Sequence, residues 1–262
     1  MIFYERKHKE TAKEYAYRIL KYNIMSLDLK PGELLSESNL SEKLNISRTP
    51  IREILMRLKN EHLIEVKPQA GTYVSLIDRD LINEAIFMRT VLEKEVLKEA
   101  CSNFPEELYI ELEKNLFAQK LVVDKDGKDI EFHNLDKKFH KLIFLGCNKV
   151  NIWRTIMNIS SHYNRMRLLS EMKSNKMQII KHHEEILDII KNNEINKIDT
   201  CVNKHIVEPA AEWEKLINEN EELKVAPYFS LNTRITFSNS EIVSGISRPH
   251  SSSQSFRTTG PW

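Results

Sequence analysis

The strongest constraint on the fold is a long stretch of helical periodicity, from Asp78 to about Glu222. Apolar residues recur there at three- and four-residue intervals, which is the spacing of one face of an α-helix. Helix-breaking residues interrupt the pattern near Phe104-Pro105, Asp126-Gly127, Gly146-Cys147-Asn148, Ser174-Asn175 and Asn192-Asn193. With no internal repeat and no βαβ alternation, this predicts roughly six helices with short connections, arranged as an antiparallel all-α bundle.

The residues before this stretch follow a different order. Apolar positions at helical spacing across residues 9–27 predict a first helix, which ends before the breaker Lys30-Pro31-Gly32. Two serines are positioned to cap the next two helices: Ser36 before residues 37–44 and Ser47 before residues 49–61. Pro50 lies near the start of the second of these, where its missing N–H costs little.

Two short strands are predicted next, over residues 65–74, around a turn that contains Pro68. A helix, a helix-turn-helix and a β-hairpin, in that order, are typical of a winged helix-turn-helix. We therefore expect a mainly α fold of two domains. A winged helix-turn-helix would cover residues 1–75, and the all-α bundle would cover residues 76–224.

Charge is divided between these two parts. Residues 1–75 contain 13 basic and 10 acidic residues, whereas residues 76–224 contain 23 and 27. A basic N-terminal part on an acidic body is compatible with a nucleic-acid partner for the N-terminal part alone.

Composition also indicates where the protein works. No stretch approaches the roughly 18 apolar residues of a membrane span, and the N-terminus has no apolar run of signal-peptide length. The scattered Cys101, Cys147 and Cys201 suit a reducing compartment, so we expect a cytoplasmic protein without a membrane partner. The last 38 residues hold nine serines and no lysine, which predicts that residues 225–262 are disordered or were appended by cloning.

The second helix of the helix-turn-helix carries side chains suited to reading DNA. Arg48 and Arg52 are four residues apart and share a face, while the apolar residues of that helix form a stripe elsewhere on it. Arginine bridges guanine O6 and N7 or clamps a phosphate, and Ser47 and Thr49 can donate to phosphate oxygens. The same spacing fits an ordinary amphipathic helix with solvated arginines, and the pattern alone leaves both interpretations open.

Three runs of this N-terminal part resemble the GntR family of bacterial transcription regulators in order and spacing. They are Lys30–Glu37, Leu40–Glu53 and Gly71–Val74. The resemblance implies that the partner is double-stranded operator DNA and that Arg48, Thr49 and Arg52 are the main contacts. It also places Gly71 at the wing tip, near the minor groove. Ser38 is a departure, since some relatives have a long basic residue at that position. A serine there would reach a phosphate but not a base.

The helical part combines one acid and three histidines on predicted inner faces. Asp136 and His140 are four residues apart on one helix, and His183 and His205 lie among apolar neighbours on later helices. Each histidine by itself fits a core residue with satisfied hydrogen bonds. Together, on three helices of one bundle, the four side chains are better explained by a bound metal.

The helical half also resembles the FCD ligand-binding domain of the FadR branch of the GntR family. In that domain an Asp-x-x-x-His pair and two later histidines bind a metal, and Asp136, His140, His183 and His205 fall in that order and spacing. One oxygen and three nitrogens suit zinc, nickel or another divalent first-row ion. Such a set leaves coordination positions open, so a small carboxylic acid or sugar acid is the expected effector.

Three arginines are candidates for binding this effector. Arg89 lies on an apolar stripe, where a guanidinium needs an anion. Either Glu93 or the carboxylate of the effector would supply it, and the sequence leaves both open. Arg165 and Arg167, on the helix after Trp153, are further candidates.

These features predict a homodimeric, ligand-responsive transcription regulator rather than an enzyme. The dimer follows from the family resemblance and from the two-fold symmetry of most operators. Two alternatives stay open: a metal-dependent hydrolase-type enzyme joined to a DNA-binding domain, and a regulator in which the metal is only structural. Against the enzyme, the sequence has no His-Glu-x-x-His motif, because Leu187 stands four residues after His183.

Overall fold

The computed structural model describes residues 1–173, 175–219, 223 and 225–226. Its N-terminal elements are, in chain order, α1 (Ala12–Met25), β1 (Leu34–Leu35), α2 (Glu37–Leu44), α3 (Arg48–Asn60), β2 (Ile64–Lys67) and β3 (Gly71–Val74). Strand β3 lies between β1 and β2 and is antiparallel to both. These elements form the expected winged helix-turn-helix. The two-residue β1 was not predicted, because it is too short to show a period.

Side-chain caps fix where the first helices begin. Thr11 accepts a hydrogen bond from the backbone N–H of Glu14, whose side chain bonds back to Thr11, so a capping box starts α1. Ser36 caps α2 as expected. Ser47 holds the extended N-cap conformation before α3, but its hydroxyl makes no capping hydrogen bond, so that part of the prediction is wrong. Asn45, in the left-handed conformation with φ 51°, makes the tight turn between α2 and α3.

The residues that follow are almost entirely helical. The α-helices are α4 (Arg79–Ser102), α5 (Glu106–Val122), α6 (Asp129–Gly146), α7 (Val150–Ile159), α8 (Ser161–Lys173), α9 (Met177–Asn192), α10 (Ile198–Val202), α11 (Glu208–Ala211) and α12 (Trp213–Asn218). A 3-10 turn at Ile195–Lys197 precedes α10, and a π-helical turn at Asn203–Val207, called here the π segment, follows it.

The helix count exceeds the prediction, although every predicted break coincides with a helix end. A further break falls at Ser160, between α7 and α8. It was missed because neither glycine nor proline marks it; the Ser160 hydroxyl instead donates to the Ile156 carbonyl at 2.6 Å. After α9 the chain forms several short pieces rather than one helix. Val225 makes an isolated bridge with Ile77, and residues 227–262 of the predicted tail lie outside the described residues.

Two apolar clusters hold the structure together. One lies within α1, α2, α3 and the sheet, and the other lies within the helical part. Leu168 of α8 belongs to the first cluster, although its helix is part of the second. This side chain, 1% exposed, packs the helical part onto the winged helix-turn-helix.

Candidate metal centre and nucleic-acid interface

The N-terminal end of α3 presents the side chains expected to face DNA. Ser47, Arg48, Thr49 and Arg52 are all exposed there. The opposite stripe of the helix is buried, as predicted, and consists of Ile51, Ile54, Leu55 and Leu58. The structure thus leaves these polar groups accessible to a DNA groove while the apolar stripe anchors the helix.

Neighbouring groups order parts of this surface. Nε of Arg52 donates to Oε2 of Glu37 at 2.8 Å, which ties α3 to the first turn of α2. The hydroxyls of Ser38 and Ser36 lie 2.9 Å apart. Gly71 pairs with Lys67, so it is the first residue after the turn of the hairpin rather than part of the turn. Its φ of 124°, with Leu34 only 2.9 Å from where a Cβ would lie, requires glycine at this position.

The four predicted metal ligands come together in the middle of the helical part. Asp136 and His140 project from α6, His183 from α9 and His205 from the π segment. One candidate ligand atom from each residue lies within 4.8 Å of those of the other three. All four side chains are enclosed, with exposures between 0% and 3%.

Hydrogen bonds to neighbouring groups orient two of the imidazoles. Nδ1 of His140 lies 2.8 Å from Oε2 of Glu93, and Nδ1 of His183 lies 2.8 Å from Oε1 of Gln119. Both oxygens can only accept, so each Nδ1 carries the hydrogen, and in the neutral tautomer Nε2 presents its lone pair. Outer hydrogen bonds of this kind orient metal-binding histidines in general.

The charges of the cluster favour the forms that bind a metal. Burial and the neighbouring cations lower the pKa of His205 well below its usual value, and burial lowers that of His183 to about 4. Burial alone would raise the pKa of Asp136, but the nearby Arg167 guanidinium and the cluster histidines hold it well below its ordinary value. At neutral pH these residues are therefore two neutral imidazoles and a carboxylate, which is the protonation state that metal binding requires.

The residues present fit a first-row metal ion. Nε2 of His205 lies 2.9 Å from Nε2 of His140, and Nε2 of His183 lies 3.3 Å from Oδ1 of Asp136 without a hydrogen bond. Atoms bound to a metal at about 2.0–2.1 Å lie roughly 3 Å apart, as these do. The buried Nε2 of His183, which faces a carboxylate oxygen and has no hydrogen-bond partner, is unfavourable unless a cation lies between the two atoms.

The structure separates the three candidate effector arginines. Nη2 of Arg167 donates to Oδ1 of Asp136 at 2.6 Å and also lies 3.4 Å from Nε2 of His205, so it borders the cluster. Arg89 pairs with Glu93 at 2.7 Å, while its Nη2 has no hydrogen-bond partner.

Arg165 does not reach the cluster. Its Nη1 donates to the backbone carbonyl of Ser75 at 2.9 Å, beside the winged helix-turn-helix. The structure therefore does not bring Arg165 together with the four proposed ligands, and its role in binding the effector stays a prediction. It lies two residues from Arg167, and a helix turns by roughly 200° over two residues, so the two side chains project from different faces.

Sequence reasoning missed several groups around the cluster. Gln119 was not considered, although its position four residues after the buried Asn115 indicates an inner face of α5. Glu93 was assigned only to Arg89, yet it also orients His140. The buried pair of His133 and Glu171, on α6 and α8, had no signal in the sequence because it depends on how these helices pack.

Comparison with known proteins identifies both parts of the chain. Residues 12–74 match the family described as bacterial regulatory proteins, gntR family, and residues 84–208 match the FCD domain. The HTH-type transcriptional repressor RspR of Escherichia coli is 29% identical over 205 residues, which cover 78% of this chain and 90% of that protein. An HTH-type transcriptional regulator of Streptomyces ambofaciens is 30% identical over 191 residues, which cover 72% of this chain and 80% of that protein.

Solved structures show the same fold. McbR/YncC of Escherichia coli superposes with a TM-score of 0.64 at 21% identity, over 79% of this chain and 99% of that one. A GntR regulator from Rhodococcus sp. RHA1 gives 0.61 at 18% identity, over 78% and 97%. In the described part of the chain, no helix combines the length and apolarity needed to cross a bilayer. The predicted fold class and family are confirmed: the chain belongs to the GntR family of bacterial DNA-binding transcription regulators and carries an FCD domain.

Proposed function

We propose that this regulator changes its affinity for operator DNA when a small organic acid binds beside a metal ion in the helical domain. The observation that carries the proposal is the arrangement of cations around the candidate metal centre. Arg167 borders Asp136, and Nη2 of the fully buried Arg89 lacks a hydrogen-bond partner. A buried guanidinium with an open donor is costly unless an anion completes it.

The ligand set proposed for the metal is Asp136, His140, His183 and His205. Zinc or nickel, or another divalent first-row ion, suits one carboxylate and three imidazoles. When bound, the metal supplies a Lewis acid to which a carboxylate oxygen of the effector can coordinate. Glu93 and Gln119 would hold the imidazoles of His140 and His183 in place from outside.

The effector class follows from these charges. A carboxylate would neutralise the open donor of Arg89 and would compete with Asp136 for Arg167, so it would repack the junction of α4, α6 and α8. A relative from Bacillus licheniformis, 27% identical over 172 residues, is a gluconate operon transcriptional repressor. This supports a sugar acid or another small carboxylic acid as the effector.

The proposed DNA contacts are Arg48, Thr49 and Arg52 from α3, with Ser47 and Ser38 at phosphates and Gly71 beside the wing turn. The exposed polar end of α3 supports these assignments. Replacing Arg48 with alanine should weaken binding by about 1–3 kcal/mol if this residue reads a base. The measurement is the affinity for a duplex selected from random-sequence DNA, with the exposed Arg154→Ala of α7 as the matched control.

We further propose that the protein acts as a homodimer. Four large apolar side chains are exposed at helical spacing on two helices: Phe87 and Val91 on α4, and Phe117 and Leu121 on α5. Within each helix the two exposed apolar side chains are one turn apart, and large exposed apolar patches mark interaction surfaces. A dimer would also match the two half-sites of a symmetric operator.

Thermal unfolding of the metal-loaded protein tests the effector proposal. Gluconate and short di- and tricarboxylic acids are added at increasing concentration, and the true class should raise the melting temperature by several degrees at about 100 times its dissociation constant. The double variant Asp136→Ala/His140→Ala should lose both the metal and this response. The same acid should then change the affinity for the selected DNA duplex.

A purely structural metal is the second candidate, and the near-complete enclosure of the four ligands favours it. In that case the metal alone would raise the melting temperature strongly, and no acid in the panel would raise it further. DNA affinity would then depend on metal loading but not on the acids. These outcomes separate the two candidates.

A further inference from the structure

A cavity lies between the winged helix-turn-helix and the helical domain, and its α6 lining residues include His133 and Lys137, which neighbour Asp136 along that helix. Its volume is about 670 Å³, which is the size of a small-molecule site. Its walls come from the N-terminal residues 7–10, from α1, and from α6, α7 and α8. We call this space the junction cleft.

Several charges of the junction cleft cancel in pairs. Glu10 accepts two hydrogen bonds from Arg18 at 2.7 Å, and Lys21 pairs with Glu61 at 2.6 Å. Three further cations in the lining, Lys7, Lys9 and Lys137, form no ion pair within the described part of the chain, and burial lowers the pKa of Lys137. Glu14, whose carboxylate accepts hydrogen bonds from Thr11, is the other acid of the lining, so these three lysines leave the cleft with a net positive charge that suits a dianion.

Two buried side chains of the lining also lack partners. Nε2 of His133 and Oδ1 of Asn164 make no hydrogen bond, although these residues are only 2% and 7% exposed. Nδ1 of His133 lies 2.8 Å from the carboxylate of Glu171, so it carries the hydrogen, and in the neutral tautomer Nε2 is an acceptor. The amide oxygen of Asn164 is an acceptor as well. Two open acceptors call for donors on the ligand, which hydroxyl groups provide.

We propose that the junction cleft binds a sugar phosphate. The phosphate would lie among Lys7, Lys9 and Lys137, and the sugar hydroxyls would donate to His133 and Asn164. Tyr17 and Met157, also in the lining, supply surface for the carbon skeleton. Because residues 7–10 and α1 belong to the winged helix-turn-helix domain and α6, α7 and α8 to the helical domain, a ligand bound here contacts both domains.

Calorimetric titration of the full chain with ribose 5-phosphate, at fixed ionic strength, tests this proposal. Lys137→Gln should weaken binding by about tenfold or more, because it removes a charge-assisted contact. Lys138→Gln removes the same charge from the exposed neighbour and should leave the affinity unchanged. Equal affinities of the two variants would overturn the proposal, as would no binding to the wild type at millimolar ribose 5-phosphate.

Two more variants keep the test decisive if Lys137→Gln folds poorly. Met157→Trp should weaken binding, because the larger side chain takes up part of the cleft where the carbon skeleton would lie. Asn164→Leu should weaken binding of ribose 5-phosphate but not of inorganic phosphate, since Asn164 is proposed to contact the sugar hydroxyls and not the phosphate group.

The metal centre must be excluded as the place of binding. His183→Ala, on α9 and away from the junction cleft, removes a proposed metal ligand and should leave the affinity for ribose 5-phosphate unchanged. Loss of binding in His183→Ala together with normal binding in Lys137→Gln would place the phosphate at the metal centre and would refute the proposal. If no organic acid raised the melting temperature, the proposed effector would be wrong, but the test of ribose 5-phosphate binding to the junction cleft would still hold.

Discussion

Nδ1 of His133 lies 2.8 Å from Oε2 of Glu171, deep between α6 and α8. The other oxygen of Glu171 accepts a hydrogen bond from Nε of Arg167 at 3.0 Å, and Arg167 donates in turn to Asp136. A continuous chain of charged hydrogen bonds thus joins the candidate metal centre to the junction cleft beside α1. Any ligand that moves Arg167 must also disturb the partner of His133.

Replacing Glu171 with leucine should destabilise the protein strongly. The carboxylate is 1% exposed and compensates the buried guanidinium of Arg167, so its loss leaves a buried charge with fewer partners. We expect a loss of about 3 kcal/mol or more in the free energy of unfolding, measured by urea denaturation. Glu95→Gln, which breaks the exposed pair with Lys98, should cost less than about 1 kcal/mol. If Glu171→Leu lowered the free energy of unfolding no more than Glu95→Gln does, this would contradict the role assigned to the chain of hydrogen bonds between His133 and Asp136.

His162 should make stability depend on pH. Burial is the main cause that lowers its pKa from 6.5 to about 4, and its Nδ1 accepts a hydrogen bond from the backbone N–H of Asp78 at 3.2 Å. The unfolded chain takes up a proton below pH 6.5 while the folded chain does not, so this contribution is present above pH 6.5 and is lost as the pH falls to about 4.

The loss expected from His162 is on the order of 3 kcal/mol, at about 1.4 kcal/mol per unit of pKa shift. His162→Gln does not titrate, and its side chain retains an acceptor for Asp78. The difference in unfolding free energy between wild type and variant should therefore shrink as the pH falls from 7 to 4. If the free energy of unfolding changed with pH in the same way in both proteins, His162 would not be the source of the pH dependence. His8→Gln, at an exposed site, is the control.

Local periodicity accounts for the parts of the site that the sequence predicted. Asp136 and His140 share a face because they are one helical turn apart, and His183 lies on the inner stripe of its helix; both placements follow from helix geometry. His205 was found by its apolar neighbours, although it lies on a π-helical turn that no periodicity indicates. The roles of these residues as ligands stay predictions.

The remaining features of the site depend on how distant helices pack together. Local sequence patterns do not show which helices will be neighbours. The contact of His133 with Glu171 joins residues 38 positions apart on two helices. The position of Arg165 depends on the break at Ser160 and on the packing of α8 against the winged helix-turn-helix through Leu168. The junction cleft likewise exists only because α1 and α6 are brought together.

Glu37→Gln should strengthen binding to DNA. In the free protein Glu37 holds Nε of Arg52, and its negative charge stands beside the proposed DNA-reading surface. Removing the charge of Glu37 weakens its hold on Arg52, which can then bind a phosphate. It also lowers the repulsion between Glu37 and the DNA phosphates. The affinity for random-sequence DNA should rise several-fold, with a steeper dependence on salt. Glu106→Gln, in the exposed first turn of α5, is the matched control. Unchanged affinity and salt dependence would show that Arg52 does not contact the backbone.

Metal content separates the four proposed ligands from other buried histidines. His183→Ala and His205→Ala should each lose most of the metal, because each removes one of four converging ligand atoms. His162→Ala also removes a buried imidazole, but His162 lies outside the cluster. This variant should therefore retain about one equivalent of metal per chain. Elemental mass spectrometry after purification without chelators gives the ratio. Metal retained in His183→Ala at the wild-type level would exclude the four-ligand site, and equal loss in all three variants would show that misfolding rather than coordination is responsible.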